Sequence, residues 1–159
     1  MTAGTSGEGD ASGETDASGG ADASKAAAAR SIVLIVDVAN VMGSRPDGWW
    51  RDRAGAASRL LAQVVPLAGE AVDDPDGSPL TIARIVAVVE GQAKQVTAPD
   101  GVEVVRAPRD GDSAIVEVVE AGGAGHPLVV VTADRGLRAR LPSGVGVRGP
   151  GWLNALIGR

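Results

Sequence analysis

The chain has 159 residues, a formal net charge of −5 and no cysteine. The length is typical of one domain, and the absence of cysteine excludes disulfides, thiolate zinc sites and cysteine nucleophiles. Residues 1–30 carry five acids and two bases, so residues 31–159 hold 15 acids and 13 bases and offer no strongly basic face for tight binding of a polyanion.

Residues 1–30 consist mainly of Gly, Ser, Ala, Thr and acids, and no large apolar residue follows Met1. Such a segment cannot bury enough surface to offset its ordering entropy, so we expect a disordered tail with a short helical approach at residues 25–30. The tail lacks the basic start and apolar stretch of a signal peptide. The longest apolar runs, such as residues 32–36, are too short to span a bilayer. We therefore expect a soluble, cytoplasmic protein without a membrane partner.

Strands and helices alternate along residues 31–159. Runs of β-branched and aliphatic residues predict buried strands at residues 32–36, 82–89, 102–105, 128–131 and 145–147. Helices are predicted at residues 49 to about 68, 112 to about 121, 135–141 and 152–157. Trp50 is predicted to lie on the buried stripe of the first helix, Pro66 to kink its end, and residues 73–79 to form a loop. This alternation predicts an α/β fold with a parallel sheet and right-handed crossovers.

Acidic residues follow each of the first four predicted strands, at the edge where parallel sheets bind ligands. In chain order these candidates and their polar neighbours are Asp37 with Asn40, then Glu90, then Asp110 and Asp112, and finally Asp134 with Thr132. Clustered carboxylates repel one another, and a hard cation such as Mg²⁺ relieves that repulsion. Because carboxylates with Mg²⁺ or Mn²⁺ are the usual apparatus of phosphodiester chemistry, the pattern predicts a metal site for that chemistry.

Each acid also has a purely structural interpretation. Asp112 and Asp134 stand where helix N-caps would stand. Asp37 could accept hydrogen bonds from nearby backbone N–H groups, although it follows five apolar residues, where an unpaired buried acid is costly. Glu90 and Asp110 could be solvated loop acids.

Other residues near the predicted edge allow two interpretations as well. Arg45, Arg51 and Arg135 could hold phosphates or pair with the acids. The Trp49–Trp50 pair could stack on bases, but packing under the first helix is the preferred interpretation. The only histidine, His126, falls in a loop at the opposite edge of the sheet and is interpreted as an ordinary loop residue.

Three segments together resemble the motifs of NYN-domain proteins in the PIN-like nuclease superfamily. IVDVANVMGS at residues 35–44 resembles the first motif, in which Asn follows a strand-end Asp by three residues. DGDSAIVEVVE at residues 110–120 resembles the second, an acid at the start of a helix. VVVTADRGLRARL at residues 129–141 resembles the third, a strand ending in Thr or Ser, any residue and Asp before a short basic helix. The resemblance covers nearly all of residues 31–159, in the family's order.

The resemblance implies a three-layer fold around a doubly wound sheet of five parallel strands in the order 3-2-1-4-5. It also implies a Mg²⁺- or Mn²⁺-dependent endoribonuclease that acts on RNA, with single-stranded RNA as the expected substrate. Asp37, Asp112 and Asp134 would be the metal ligands, and Asn40 would orient Asp37 or the metal-bound water. Arg45, Thr132 and Arg135 complete the candidate set as substrate-binding residues. PIN-like folds often dimerise, so a homodimer is a further expectation.

Two departures from the family pattern keep other functions open. Gly111 stands where many relatives have a second adjacent acid, and Arg138 stands where some carry a further acid. A second hypothesis is therefore a catalytically weakened domain of the same fold that binds RNA or a protein. A third is a haloacid dehalogenase-type phosphatase, whose chemistry requires an acid at the position that Ala39 occupies.

Overall fold

A six-stranded sheet forms the centre of the computed structural model, which describes residues 29–159. Its strands are β1 (Arg30–Asp37), β2 (Ala71–Asp73), β3 (Pro79–Val89), β4 (Glu103–Arg106), β5 (Leu128–Val131) and β6 (Gly146–Arg148). The predicted disordered tail lies outside the described residues except for its last two. Of the predicted helical approach, only residues 29 and 30 are described, and Arg30 already begins β1.

Five α-helices connect the strands of this described region. They are α1 (Val38–Gly43), α2 (Arg53–Val64), α3 (Gly111–Ala121), α4 (Arg135–Arg140) and α5 (Pro150–Leu156). Three short 3₁₀ turns complete the chain, at Trp49–Arg51, Val65–Leu67 and Gly91–Gln95. None of these helices combines the length and the apolar character that a membrane span requires.

The parallel part of the sheet confirms the predicted strand order. β1 lies between β3 and β5 and pairs in parallel with both. β4 extends the sheet beyond β3, and β6 extends it beyond β5. The resulting order β4-β3-β1-β5-β6 is the predicted 3-2-1-4-5 when the strands are counted as the sequence predicted them. The winding reverses at β1, so the end of β1 lies where such folds bind ligands.

The alternating side chains of β1 supply both faces of the core, which explains its continuous apolar run. Ile32, Leu34 and Val36 belong to one buried cluster, which α1, α2 and α5 cover. Val33 and Ile35 belong to a second cluster, covered by α3 and α4. The sheet is therefore sandwiched between two helical layers, as predicted.

One strand and one helix are additions to the predicted elements. β2 pairs antiparallel with the start of β3, from Ala71 opposite Thr81 to Asp73 opposite Pro79, so the predicted loop at residues 73–79 is in part a hairpin. α1 follows β1 directly and is six residues long. Three or six residues are too few for a hydrophobic period to be read from a sequence.

The first long helix is shorter than predicted. Asp52 is the N-cap of α2 and accepts a hydrogen bond from the Gly55 N–H at 2.9 Å, so the helix begins at Arg53. It ends at Val64, before Pro66, as expected for a proline that cannot continue the hydrogen-bond ladder. Trp50 falls in the preceding 3₁₀ turn and is 51% exposed, so its predicted place on the buried stripe is wrong.

Candidate active site

Asp37 is a buried carboxylate held between two chain segments. It ends β1, is 6% exposed and is the N-cap of α1. Its Oδ1 accepts a hydrogen bond from the backbone N–H of Asn40 at 3.3 Å, and its Oδ2 accepts one from the Thr132 hydroxyl at 2.9 Å. The bond to Asn40 matches the structural interpretation from the sequence. The bond to Thr132 comes from a residue 95 positions away, so the fold itself places this carboxylate.

Thr132 and Asn40 join the ends of β1 and β5. The Thr132 Oγ1 accepts a hydrogen bond from the Asp134 N–H at 3.1 Å while its hydroxyl donates to Asp37. The Asn40 Oδ1 accepts one from the Ala133 N–H at 2.7 Å. The Asn40 side chain thus fixes the segment after β5, and its backbone N–H contacts Asp37. Both strand ends are held in one rigid unit.

Asp134 combines a capping role with a position beside this unit. It is the N-cap of α4, and its Oδ1 accepts a hydrogen bond from the Leu137 N–H at 2.9 Å. The cap fixes the direction of the carboxyl group, while Oδ2 has no hydrogen-bond partner among residues 29–159. The capping interpretation of Asp134 is therefore confirmed, and it leaves one oxygen free for another partner.

Two acids at the N-terminus of α3, Asp110 and Asp112, have different structural roles. Asp110 is the N-cap, and it accepts hydrogen bonds from the Ser113 N–H at 2.8 Å and the Ser113 hydroxyl at 3.1 Å. These bonds lower the pKa of Asp110. Asp112 lies in the first turn of the helix, so its interpretation as the cap is wrong. It makes no hydrogen bond through its carboxylate to any described residue, and it is half-buried.

Glu90 explains why glycine precedes Asp112. The Glu90 carboxylate, just after β3, accepts a hydrogen bond from the Gly111 N–H. A Cβ atom on residue 111 would lie 2.8 Å from the Glu90 Oε2, so the Glu90 carboxylate would have to move away. An acid at position 111 is therefore incompatible with this bond. Glu90 is a half-buried cap of α3 rather than the solvated loop acid that its sequence context allowed.

The charges of these acids act on one another. Burial raises the pKa of Asp37 to about 6, against the opposing effect of its bonds to Thr132 and Asn40, and the charges of Asp112 and Glu90 add to the rise. The pKa of Asp112 is also raised, first by burial and then by the charges of Asp134, Asp110 and Glu90. The fold thus brings the predicted acids of four strand ends into one electrostatic cluster.

The donor set of this cluster suits a hard divalent cation. It contains only oxygen donors, and the pKa values of Asp37 and Asp112 are raised first by burial and then by the neighbouring acids, although Arg140 partly offsets the rise at Asp112. Within residues 29–159, no three acidic or histidine side chains converge closely enough to hold one ion by themselves. Mg²⁺ typically binds through one or two carboxylates and keeps several waters, so the arrangement fits such an ion.

Arginines surround the acids, and the sequence prediction identified only some of them. The two candidates Arg45 and Arg135 are exposed and form no ion pair with a described acid. Arg53 and Arg109 line a groove of about 390 Å³ that also contacts Glu90 and Asp110, and neither was predicted. Their signal in the sequence is weak because Arg53 belongs to α2 and meets the edge of the sheet only through the tertiary fold.

The mostly parallel sheet, flanked by helices and with acids along its carboxyl edge, is an α/β fold whose strand order is consistent with a PIN-like fold. A solved structure of similar fold is Rae1 (YacP) from Bacillus subtilis, determined as the W164L mutant, with a TM-score of 0.57 and 17% sequence identity. The similarity covers 79% of this chain and 74% of Rae1, and at this identity it shows the fold alone. Neither a protein-family model nor a curated protein matches the sequence.

Proposed function

We propose that this chain is a metal-dependent endoribonuclease of the NYN type. The observation that carries the proposal is the position of Asp37. It is a buried carboxylate at the reversal of strand order, fixed by Thr132 and raised in pKa by burial and by the charges of Asp112 and Glu90. Structural acids are usually paired with a cation or several donors. Asp37 has two donors but no cation partner among the described residues, and its pKa stays raised despite those two bonds. The likeness to Rae1 supports the fold on which this interpretation depends.

In this proposal Asp37 and one of Asp112 and Asp134 would bind Mg²⁺ or Mn²⁺ directly at the edge of the sheet, and the remaining acid would contact a metal-bound water. A divalent ion, when bound there, polarises a phosphoryl oxygen and lowers the pKa of an attacking water. Hydrogen bonds within the chain hold the carboxylates in place. Thr132 and the Asn40 backbone fix Asp37, and the cap of α4 fixes Asp134. Arg45 and Arg135 are exposed cations that would contact the phosphates of RNA.

A cleavage assay on labelled single-stranded RNA tests this function. We expect cleavage with Mn²⁺, none with EDTA, and products that carry a 5′-phosphate and a 3′-hydroxyl. Asp37→Asn should abolish cleavage, while Asp100→Asn, which removes an exposed loop acid, should retain it. Circular dichroism would show that both variants are folded. Full cleavage by Asp37→Asn would overturn the proposed mechanism.

The second candidate is a catalytically weakened domain that binds RNA or a protein. It is favoured by the lack of three converging acids among residues 29–159 and by Arg138, an exposed base where some relatives have an acid. Calorimetric titration with Mn²⁺ distinguishes the two functions. Absence of binding at millimolar Mn²⁺ would favour the second candidate, whereas binding that Asp112→Asn removes would favour the nuclease.

A further inference from the structure

Trp50 is the large apolar side chain that stands out on the surface of the described region. It is 51% exposed, and no other large hydrophobic side chain in residues 29–159 is exposed in this way. Its ring packs edge-on against Trp49, with the ring centroids 5.9 Å apart and the planes at 86°. Trp49 is half-buried and packs against the core. The anchored ring of Trp49 therefore supports Trp50, whose ring remains open to solvent.

Two arginines accompany these rings. The Arg51 guanidinium lies 6.0 Å from the centroid of the Trp50 ring, and that of Arg53 lies 5.2 Å from the Trp49 ring. Both distances suit cation–π contact. Neither arginine forms an ion pair with an acid in the described part of the chain. The residue 49–53 segment therefore combines exposed aromatic surface with two arginines, and Asp52 between them caps α2 instead of forming an ion pair with either.

A groove leads from this segment to the acids. It is lined by Trp49 and Arg53 on one side and by Glu90, Arg109 and Asp110 on the other. Glu90 acts electrostatically on Asp37, so the groove lies beside the candidate active site. Arg109 adds a third cation without an ion-pair partner among the described residues. The lining therefore carries two arginines and two acids, so the groove offers separate cationic and anionic groups rather than a net positive charge.

We propose that Trp50, Arg51, Arg53 and Arg109 form a platform that binds an unpaired strand of nucleic acid beside the acids. An exposed indole stacks on the face of any base, and arginines beside it contact the backbone phosphates. A duplex does not offer free base faces, so the platform selects single strands. The direction of the strand towards the acids rests on the proposed function, whereas binding itself requires no cleavage.

Binding is measured by fluorescence anisotropy with labelled oligo(U) and oligo(dT) of about 12 nucleotides, a length within the usual range of single-strand sites. EDTA is present throughout, so that no cleavage interferes. We expect Trp50→Ala to weaken binding about tenfold, which is the loss of one stacked base, and Trp50→Phe to remain within about twofold of the wild type. Because Trp50 is exposed, both variants should fold as the wild type does, and circular dichroism checks this.

The cations have a matched control. Arg51→Ala and Arg109→Ala should each reduce the salt dependence of binding, by about one unit of slope for each phosphate contact. Arg84→Ala removes the same charge from an arginine that pairs with Glu103 on the far edge of the sheet, and it should leave the slope unchanged. Comparison of the two oligonucleotides shows whether the platform takes both RNA and DNA.

Equal binding by the wild type and Trp50→Ala would overturn the platform. So would an absence of binding by the wild type at about 100 µM, the weak end of non-specific affinity, and the exposed ring would then point to a protein partner. If the strand binds through Trp50 but stays intact with Mn²⁺, the platform stands and the proposed nuclease function fails. If the protein cleaves RNA with Mn²⁺ and Trp50→Ala does not change that cleavage, the proposed nuclease function stands and the platform fails.

Discussion

The Thr132 hydroxyl donates a 2.9 Å hydrogen bond to the Asp37 carboxylate and accepts one from the Asp134 N–H at 3.1 Å. One side chain therefore sets the positions of two candidate metal ligands on neighbouring strands. Thr132 is 1% exposed, so water does not replace either bond when it is lost. This relationship ties the geometry of the site to the pairing of β1 with β5.

Thr132→Val tests this link because valine keeps the shape of threonine and removes both bonds. The Asp134 N–H then loses its partner and the pKa of Asp37 rises further, since the bond from Thr132 lowers it. We expect a loss of about 1–3 kcal/mol in the free energy of unfolding and weaker Mn²⁺ binding. Urea denaturation measures the first effect. Thr132→Ser keeps the hydroxyl and should stay close to the wild type, and equal stability of the Val and Ser variants would contradict the link.

The raised pKa of Asp37 predicts a pH dependence of stability in metal-free protein. Its ordinary value is 3.8 and its value in the fold is about 6, so the folded state holds the proton more tightly than the unfolded state. The stabilisation is fully present below pH 3.8 and is lost as the pH rises through about 6. Relative to Asp37→Asn, which cannot ionise, the wild type should lose up to about 3 kcal/mol between pH 4 and pH 8.

Denaturant titrations of both proteins in EDTA measure this difference. Asp100→Asn provides the control, because it removes an exposed acid far from the cluster along the chain. It measures the general effect of removing one acid over the same pH range, and the change for Asp37→Asn is compared with it. A constant offset for Asp37→Asn would show instead that the carboxylate ionises as easily in the fold as in the unfolded chain.

Gly111→Ala should be destabilising although alanine is the better helix former. The new Cβ atom would lie 2.8 Å from the Glu90 Oε2 and would displace this carboxylate from the start of α3. Because the Glu90 side chain is flexible and can move aside, we expect a cost of about 1 kcal/mol, that of its lost hydrogen bond to the Gly111 N–H. In Glu90→Ala the same substitution should cost far less, because the clashing group is absent. A double-mutant cycle on unfolding free energies gives the coupling, and strictly additive effects would contradict it.

The two acids of α3 should separate stability from metal binding. Asp110→Ala removes the N-cap and should cost about 1 kcal/mol of stability, with Mn²⁺ binding largely retained. Asp112→Asn relieves repulsion from Asp134, Asp110 and Glu90, so it should retain stability and lose Mn²⁺ affinity. Thermal unfolding and calorimetric titration measure the two effects on the same samples. The opposite assignment of effects would mean that Asp110 is the functional acid.

Much of the fold could be predicted from the sequence because the signals were local. The apolar run of β1 must be covered on both faces, and the strand-end acids follow from the alternation of strands and helices. The hairpin of β2 and the capping of α3 by Asp110 depend on a few residues each. The hydrogen bond from the Gly111 N–H to the Glu90 carboxylate joins residues 21 positions apart, and no periodic pattern in the sequence indicates it.

The exposure of Trp50 could not be predicted from the sequence, for a different reason. Its spacing from the apolar residues of α2 matches a helical period, which predicted burial. Asp52, however, offers the Gly55 N–H a cap, and the helix begins only after it. Whether an Asp caps or continues a helix depends on the competition between that local bond and the burial of the preceding tryptophan. The helical spacing of apolar residues does not show which of these two contributions is larger, so it could not predict where α2 begins.

The most direct test of the metal site is a crystal structure of the protein soaked in Mn²⁺, with data collected at a wavelength where manganese scatters anomalously. The account predicts an anomalous peak within coordination distance of Asp37 and at least one of Asp112 and Asp134, and no such peak in crystals of Asp37→Asn. An ordered wild-type site without a peak at millimolar Mn²⁺, or a peak bound elsewhere and unchanged by Asp37→Asn, would contradict it.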